Sequence, residues 1–212
     1  MEVVDDDVPD PRVQCHAQLL RGLVVAVEDA RRGRDAGGEH GVQLAAIAEK
    51  HKAALNFEAS VGGAIPVVKT LREGLTGNVL NRVYGILNGT CNYILSRMEL
   101  EKLSFEECLA DAQKLGYAEA DPTFDIGGFD TAHKLAILAS LAFGTAIDSE
   151  AIHVEGIQSI TLADLEAADE LGYRIKLLGV AERSARGVEQ RVHPTMAPKT
   201  SAIAQVMGVT NA

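Results

Sequence analysis

Asp130 and Lys134 stand four residues apart near the end of the segment GYAEADPTFDIGGFDTAHK, Gly116 to Lys134. On a helix that spacing is about one turn, so both side chains leave the same face. Glu119, Asp121 and Asp125 crowd the loop in front of it, where a helix N-terminus favours negative charge. A carboxylate beside an amine on a rigid face, with another carboxylate at the helix mouth, can hold a small zwitterion and move a proton. The same residues also read as an ordinary surface ion pair, worth about 0.3–0.5 kcal/mol, next to a solvated acidic loop. His133 points away from Asp130 and reads as a surface or partly packed residue.

Two other segments have a shape that suits ligands. FEASVGGAIP, Phe57 to Pro66, is a strand-to-helix turn with paired glycines. Such a turn can aim carbonyls at a monovalent cation or amides at an anion, or it can simply be tight. In GILNGTCNYIL, Gly85 to Leu95, Gly89 would let a ligand approach the backbone, while Thr90 offers a hydroxyl and a helix cap. The sequence contains neither G-x-G-x-x-G nor G-x-x-x-x-G-K-[ST], so it has no nucleotide-binding signature of its own.

The elements that must position these residues belong to a chain of 212 residues, 47% hydrophobic but only 4% aromatic and without Trp. Its core must therefore be built from Leu, Ile, Val and Ala. A formal net charge of -10 argues against nucleic-acid or anionic-membrane partners, which need excess Lys and Arg. Cys15, Cys91 and Cys108 are an odd number with no Cys-x-x-Cys spacing; this fits a reducing cytoplasm and offers no zinc site. The start, MEVVDDDVPD, is acidic, unlike a signal peptide. The longest apolar run, Leu135 to Ile147, is too short to span a bilayer.

Periodicity predicts a helix over Val42–Lys50, a short buried strand over Leu55–Val61, and a helix from Pro66 to about Glu73. A strand over Leu80–Leu87 ends at Asn88-Gly89, and Thr90 is expected to cap the helix that follows. Ser104 and Glu107 form a capping box for Phe105–Leu115. A long apolar helix runs from about Asp130 to Phe143. Then come a strand over Ile152–Ile157, a helix opened by Thr161, two strands (Arg174–Arg183 and Val188–Pro194) joined by SARG, and a short helix over Thr200–Met207. Without a strict βαβ repeat, this predicts an α+β fold, a mixed or antiparallel sheet with helices on one face.

FEASVGGAIPVVKTLREGL, GILNGTCNYIL and LGYAEADPTFDIGGFDTAHKLAILASLAFG, in this order, resemble the catalytic domain of homoserine dehydrogenase. The resemblance runs from about Glu39 to the C-terminus, with the third segment the most specific. It implies a leader over 1–40 that does not match the family, a remnant of a Rossmann-type nucleotide domain over 41–61, a catalytic and dimerisation domain over 62–195, and the start of a return to the nucleotide domain over 196–212. The expectation is a member of that family cut short at both ends.

The resemblance further implies reversible hydride transfer between NAD(P)H and aspartate 4-semialdehyde, giving L-homoserine, a step toward threonine, methionine and isoleucine. Lys134 matches the general acid and Asp130 its substrate-binding neighbour. Glu119 matches the carboxylate that takes the substrate amino group, with Asp125, Thr90 and Tyr117 also lining the substrate. Gly116 matches a position on the nicotinamide side of the cofactor, and Glu58, Val61, Gly63 and Ile65 a sodium site. A homodimer is expected. Hydride transfer needs the nicotinamide held against the aldehyde, so the chain alone is expected to have negligible activity. The alternative is a non-catalytic dimerisation or small-molecule-binding module derived from the same domain. Another semialdehyde or amino-acid dehydrogenase would need a different acidic loop.

Overall fold

A computed structural model of the chain describes residues 48, 50–52, 56–63 and 65–212. The predicted leader, most of the predicted helix over Val42–Lys50, and Leu55 lie outside the described residues. Where the sequence predicts a strand ending at Val61, Glu58–Ser60 forms a single 3-10 turn. The Ser60 and Val61 amides bond back to Phe57 and Glu58 carbonyls, a local pairing that removes those amides from any ladder. After it, helix α1 (Val67–Lys69) widens directly into a π turn, Thr70–Gly74, close to the predicted span.

Strand β1 (Arg82–Gly85) is shorter than predicted. It is followed by α2 (Gly89–Glu101), α3 (Phe105–Lys114), the short α4 (Thr123–Ile126) and α5 (Phe129–Phe143). Then come β2 (His153–Val154), α6 (Leu162–Glu170), β3 (Tyr173–Ser184) and β4 (Gly187–Pro198), and a 3-10 turn at Ile203–Gln205 in place of the predicted last helix. The four strands form one sheet in the order β1-β3-β4-β2. β1–β3 and β3–β4 are antiparallel, and β2 runs parallel to β4. The fold is α+β with a mixed sheet.

The β3–β4 hairpin runs from Tyr173↔Pro198 to Ser184↔Gly187, longer than predicted at both ends. Pro194 and Pro198 suggest a broken strand by composition. They lie past the two residues of β4 that β2 covers, where β4 is an edge and a missing donor costs little. β2 itself stops early because the chain turns to α4: the Ile157 amide bonds the Ile126 carbonyl, and Gly156 packs so tightly that a Cβ there would lie 2.2 Å from that same oxygen.

Residue alternation along β3 makes two faces. Ile175, Leu177 and Ala181 join the main core with Leu135, Ala139, Ile94 and Leu95 from the helices. Leu178 and Val180 face the other way and pack with Ile86, Ile203 and Val206. The helices therefore cover one face, and the stretch after β4 covers part of the other. That stretch ends in a reciprocal pair of backbone bonds between Ile86 and Ala212, which continues the line of β1. α5, the predicted long apolar helix, starts after Gly128, whose φ of +86° a side chain would strain. It packs on β3 and β4. The predicted capping box of Ser104 with Glu107 forms, and the helix opened by Thr161 proves to start with a second one, Thr161 with Asp164.

Candidate functional site

The site is built where the segment after β1 meets the first turns of α2 and α5. Asp130 is in the first turn of α5 and Lys134 one turn later. The Lys134 Nζ donates to Asp130 Oδ2 at 2.7 Å and to the Leu87 carbonyl at 3.0 Å. The amine is thus pinned between its own helix and the end of the neighbouring strand segment. Asp130 is 8% exposed, and the pair is not the surface ion pair that spacing alone allows.

Asn88 completes the cluster. Its Nδ2 donates to Asp125 Oδ1 at 2.7 Å and to Asp130 Oδ2 at 2.9 Å, while its Oδ1 accepts the Cys91 amide at 2.8 Å and caps α2. Sequence reasoning gives that cap to Thr90. The Thr90 hydroxyl instead donates to the Tyr117 carbonyl at 2.6 Å and ties the acidic loop to α2. Asn is among the preferred capping residues, and Asn88 directly precedes the helix; that signal identifies it.

Burial raises the Asp125 carboxyl above its ordinary value, and the charges of Asp130 and Glu119 add to the effect. The Asn88 hydrogen bond and the Lys134 charge oppose it. The Cys91 thiol, buried against the Asp125 carbonyl at 3.2 Å, is pushed well up by burial and then by Asp125 and Asp130. It is a packed thiol, not a nucleophile.

Glu119 is exposed, and its main-chain carbonyl accepts from Gln113. Its charge reaches Asp125, so it stands on the open side of the cluster. Asp121 does not join the cluster. Its carboxylate accepts the Thr123 amide at 3.1 Å and serves the turn into α4. Tyr117 is half-exposed, with its ring against Tyr93 at 5.1 Å between centroids. Gly116 has φ +75°, which a side chain would strain, and no atom within 4 Å of where a Cβ would stand. His133 is half-buried against Phe124, at 5.3 Å.

The residues expected to hold sodium, Glu58, Val61, Gly63 and Ile65, begin in the 3-10 turn Glu58–Ser60 and run on to the start of α1. The Glu58 carboxylate is engaged elsewhere: its two oxygens accept the Val68 and Lys69 amides at 2.7 and 2.9 Å and cap α1. The Glu58 and Ile65 carbonyls accept from Val61 and Val67 and each keeps a second lone pair. Hard oxygen donors of this kind suit a small cation. Among the described residues no three His, Cys, Asp or Glu side chains gather as a metal site, and no helix is long and apolar enough to cross a membrane.

One further buried cation lies across the sheet. Lys176, 1% exposed, donates to Asn92 Oδ1 at 2.9 Å and the Val206 carbonyl at 2.6 Å. Burial lowers it to about 8, with Glu99 working against the shift. No motif in the sequence marks it; only the pairing of β3 with the stretch after β4 encloses it.

The family model for homoserine dehydrogenase matches residues 66–212. The homoserine dehydrogenase of Pseudomonas aeruginosa is 53% identical over 214 residues, 96% of this chain and 49% of that protein. That of Neisseria gonorrhoeae is 49% identical over 174 residues, 82% of this chain and 40% of that protein. The crystal structure of a homoserine dehydrogenase from Thiobacillus denitrificans superposes with a TM-score of 0.79 at 50% identity, covering 82% of this chain and 40% of that one. A hyperthermophilic archaeal homoserine dehydrogenase in complex with NADPH superposes with a TM-score of 0.68 at 25% identity, covering 82% and 49%. The chain thus spans less than half the length of each of these relatives.

Proposed function

Because the chain belongs to the homoserine dehydrogenase family, we propose that it carries the substrate-binding and proton-transfer half of an NAD(P)-dependent oxidoreductase interconverting L-homoserine and L-aspartate 4-semialdehyde. The observation that carries this reading is the Lys134 amine, held at 2.7 Å from Asp130 and 3.0 Å from the Leu87 carbonyl beside a second, partly buried acid.

The nicotinamide cofactor, when bound, supplies or takes the hydride. The protein's own residues do the rest. As the aldehyde carbon is reduced, charge develops on its oxygen. The Lys134 ammonium stabilises that charge and delivers the proton, and it takes the proton back in the reverse direction. Asp130 keeps the amine aimed and meets the substrate hydroxyl. Glu119, on the open side, takes the substrate ammonium, with Asp125 behind it. Thr90 and Tyr117 set the loop against α2 and line the substrate. Gly116 offers the nicotinamide a surface without a side chain.

Residues 62–195 then form the catalytic and dimerising unit, 41–61 and 196–212 belong to its nucleotide domain, and the sequence of 1–40 is a leader that does not match the family. The Glu58, Val61, Gly63 and Ile65 carbonyls hold sodium. A second copy pairs with this one through the sheet face that leaves Tyr84 half-exposed, and the enzyme works in the cytoplasm on the way to threonine, methionine and isoleucine.

The test is to assay aspartate-semialdehyde-dependent NADPH oxidation by the chain alone and with the nucleotide domain of a relative supplied in trans. Negligible rate alone, turnover in trans, and loss of that turnover in Lys134→Ala are expected. No turnover in trans, together with no homoserine binding by calorimetry, refutes the reading.

A further inference from the structure

Asn88 uses both donors of its side-chain amide and one lone pair of its oxygen. It is 5% exposed. One oxygen accepts from Cys91, and the amino group donates to Asp125 and Asp130. The Cys91 amide can only donate, so the Asn88 oxygen must face it, and that locks the amino group toward the two acids. Serine or aspartate would cap the helix as well as asparagine. Serine would reach neither acid, and aspartate would set a third negative charge against them. The demand for asparagine comes from the carboxylates, not from the helix.

Two carboxylates brought this close repel, and the usual outcomes are separation or a shared proton. Here one neutral donor group lies between them, and the Lys134 amine meets Asp130 Oδ2 from the other side. Asp125 is faced by Asp130 and Lys134 from α5, by Glu119 from the loop after α3, and by the Cys91 thiol from α2.

We propose that Asn88 is a positioning residue of this site, whose locked amino group holds Asp125 and Asp130 as one two-carboxylate unit facing Lys134. The proposal rests on the dehydrogenase reading only for what the unit binds; the clamp itself belongs to the chain.

Asn88→Ser tests it, because the hydroxyl keeps an acceptor for the Cys91 amide while removing the donor from both acids. The Asp125 side-chain carboxyl is followed by carbon NMR against pH in both proteins. In the folded variant its titration midpoint moves upward, since a hydrogen bond to the charged form has been lost. A midpoint that stays in place in folded Asn88→Ser overturns the proposal. Should that variant not fold, the unaltered chain decides. Its two Nδ2 protons give separate resonances, exchange slowly with water and move with the Asp125 titration; a fast-exchanging amide that ignores the titration overturns the clamp. Neither readout involves homoserine or turnover. A chain that shows the clamp yet binds no homoserine refutes the dehydrogenase reading alone, and one that binds homoserine without the clamp refutes this proposal alone.

Discussion

The Lys134 amine on α5 reaches the main-chain carbonyl of Leu87 at 3.0 Å, so a helix and the end of a strand segment share one cation. The two side chains of the Lys134–Asp130 pair are 21% and 11% exposed, between the surface and fully buried cases. Lys134→Ala is therefore expected to cost about 1–3 kcal/mol, more than a surface pair and less than a buried one. In the trans-complemented assay it lowers turnover by about 10²–10⁴-fold, the usual worth of a placed proton donor. Urea unfolding and steady-state rates check the two numbers separately.

Gly89 separates two kinds of glycine. A Cβ there would lie 2.5 Å from the Val209 carbonyl, whereas Gly77 has nothing within 4 Å. Gly89→Ala forces the stretch after β4 away from the site and is expected to cost about 1–3 kcal/mol, the range for overpacking. Gly77→Ala is expected to be neutral or to gain up to about 1 kcal/mol through the unfolded chain. Thermal midpoints of the two variants, measured side by side, check this; equal losses would show that the 209–212 stretch does not press on α2.

Lys176 makes stability depend on alkaline pH. Its folded value, about 8, lies below the ordinary 10.5. Between those values the unfolded chain holds a proton that the folded chain gives up, so this group makes stability rise with pH across that window. Below about pH 8 the burial cost is constant. Lys176→Met removes the rise, but it leaves the Asn92 and Val206 oxygens without their donor, at about 1–3 kcal/mol each. Denaturant midpoints measured across the window in both proteins test it, and a Met variant with the same slope would exclude Lys176 as the source.

Ser104→Ala removes half of a capping box whose other half is Glu107. A loss of about 1 kcal/mol is expected. The two Ser104 hydrogen bonds hold the Glu107 carboxyl below its ordinary value of 4.5, so its contribution is present above that value and lost as pH falls through the folded one. The variant should therefore lose less stability on acidification than the parent chain.

Local chemistry was legible wherever the deciding contacts are close along the chain. The Ser104–Glu107 box, the helix opened by Thr161 and the apolar helix ending at Phe143 depend on neighbours three or four residues away. The Asp130–Lys134 pair was legible for the same reason. The boundaries that differ are set by distant partners. Past Gly85 the line of β1 continues only through the pairing of Ile86 with Ala212, and β2 stops because Ile157 bonds Ile126. β4 runs through Pro194 because β2 does not cover that stretch. The predicted strand before Val61 becomes a turn through its own local hydrogen bonds.

By itself the sequence determined the fold class and the one-turn spacing of the acid and the amine, because these follow from short-range periodicity and residue type, and its three motif segments carried the family resemblance. Only the tertiary structure decided that Asn88 joins the two acids across 37 and 42 residues, that Leu87 anchors the amine, that Asp121 serves a turn instead, and that Lys176 is enclosed. Those are contacts between segments far apart in the chain. No periodicity records them, because they exist only once the sheet brings α2, α5 and the stretch after β4 to one place.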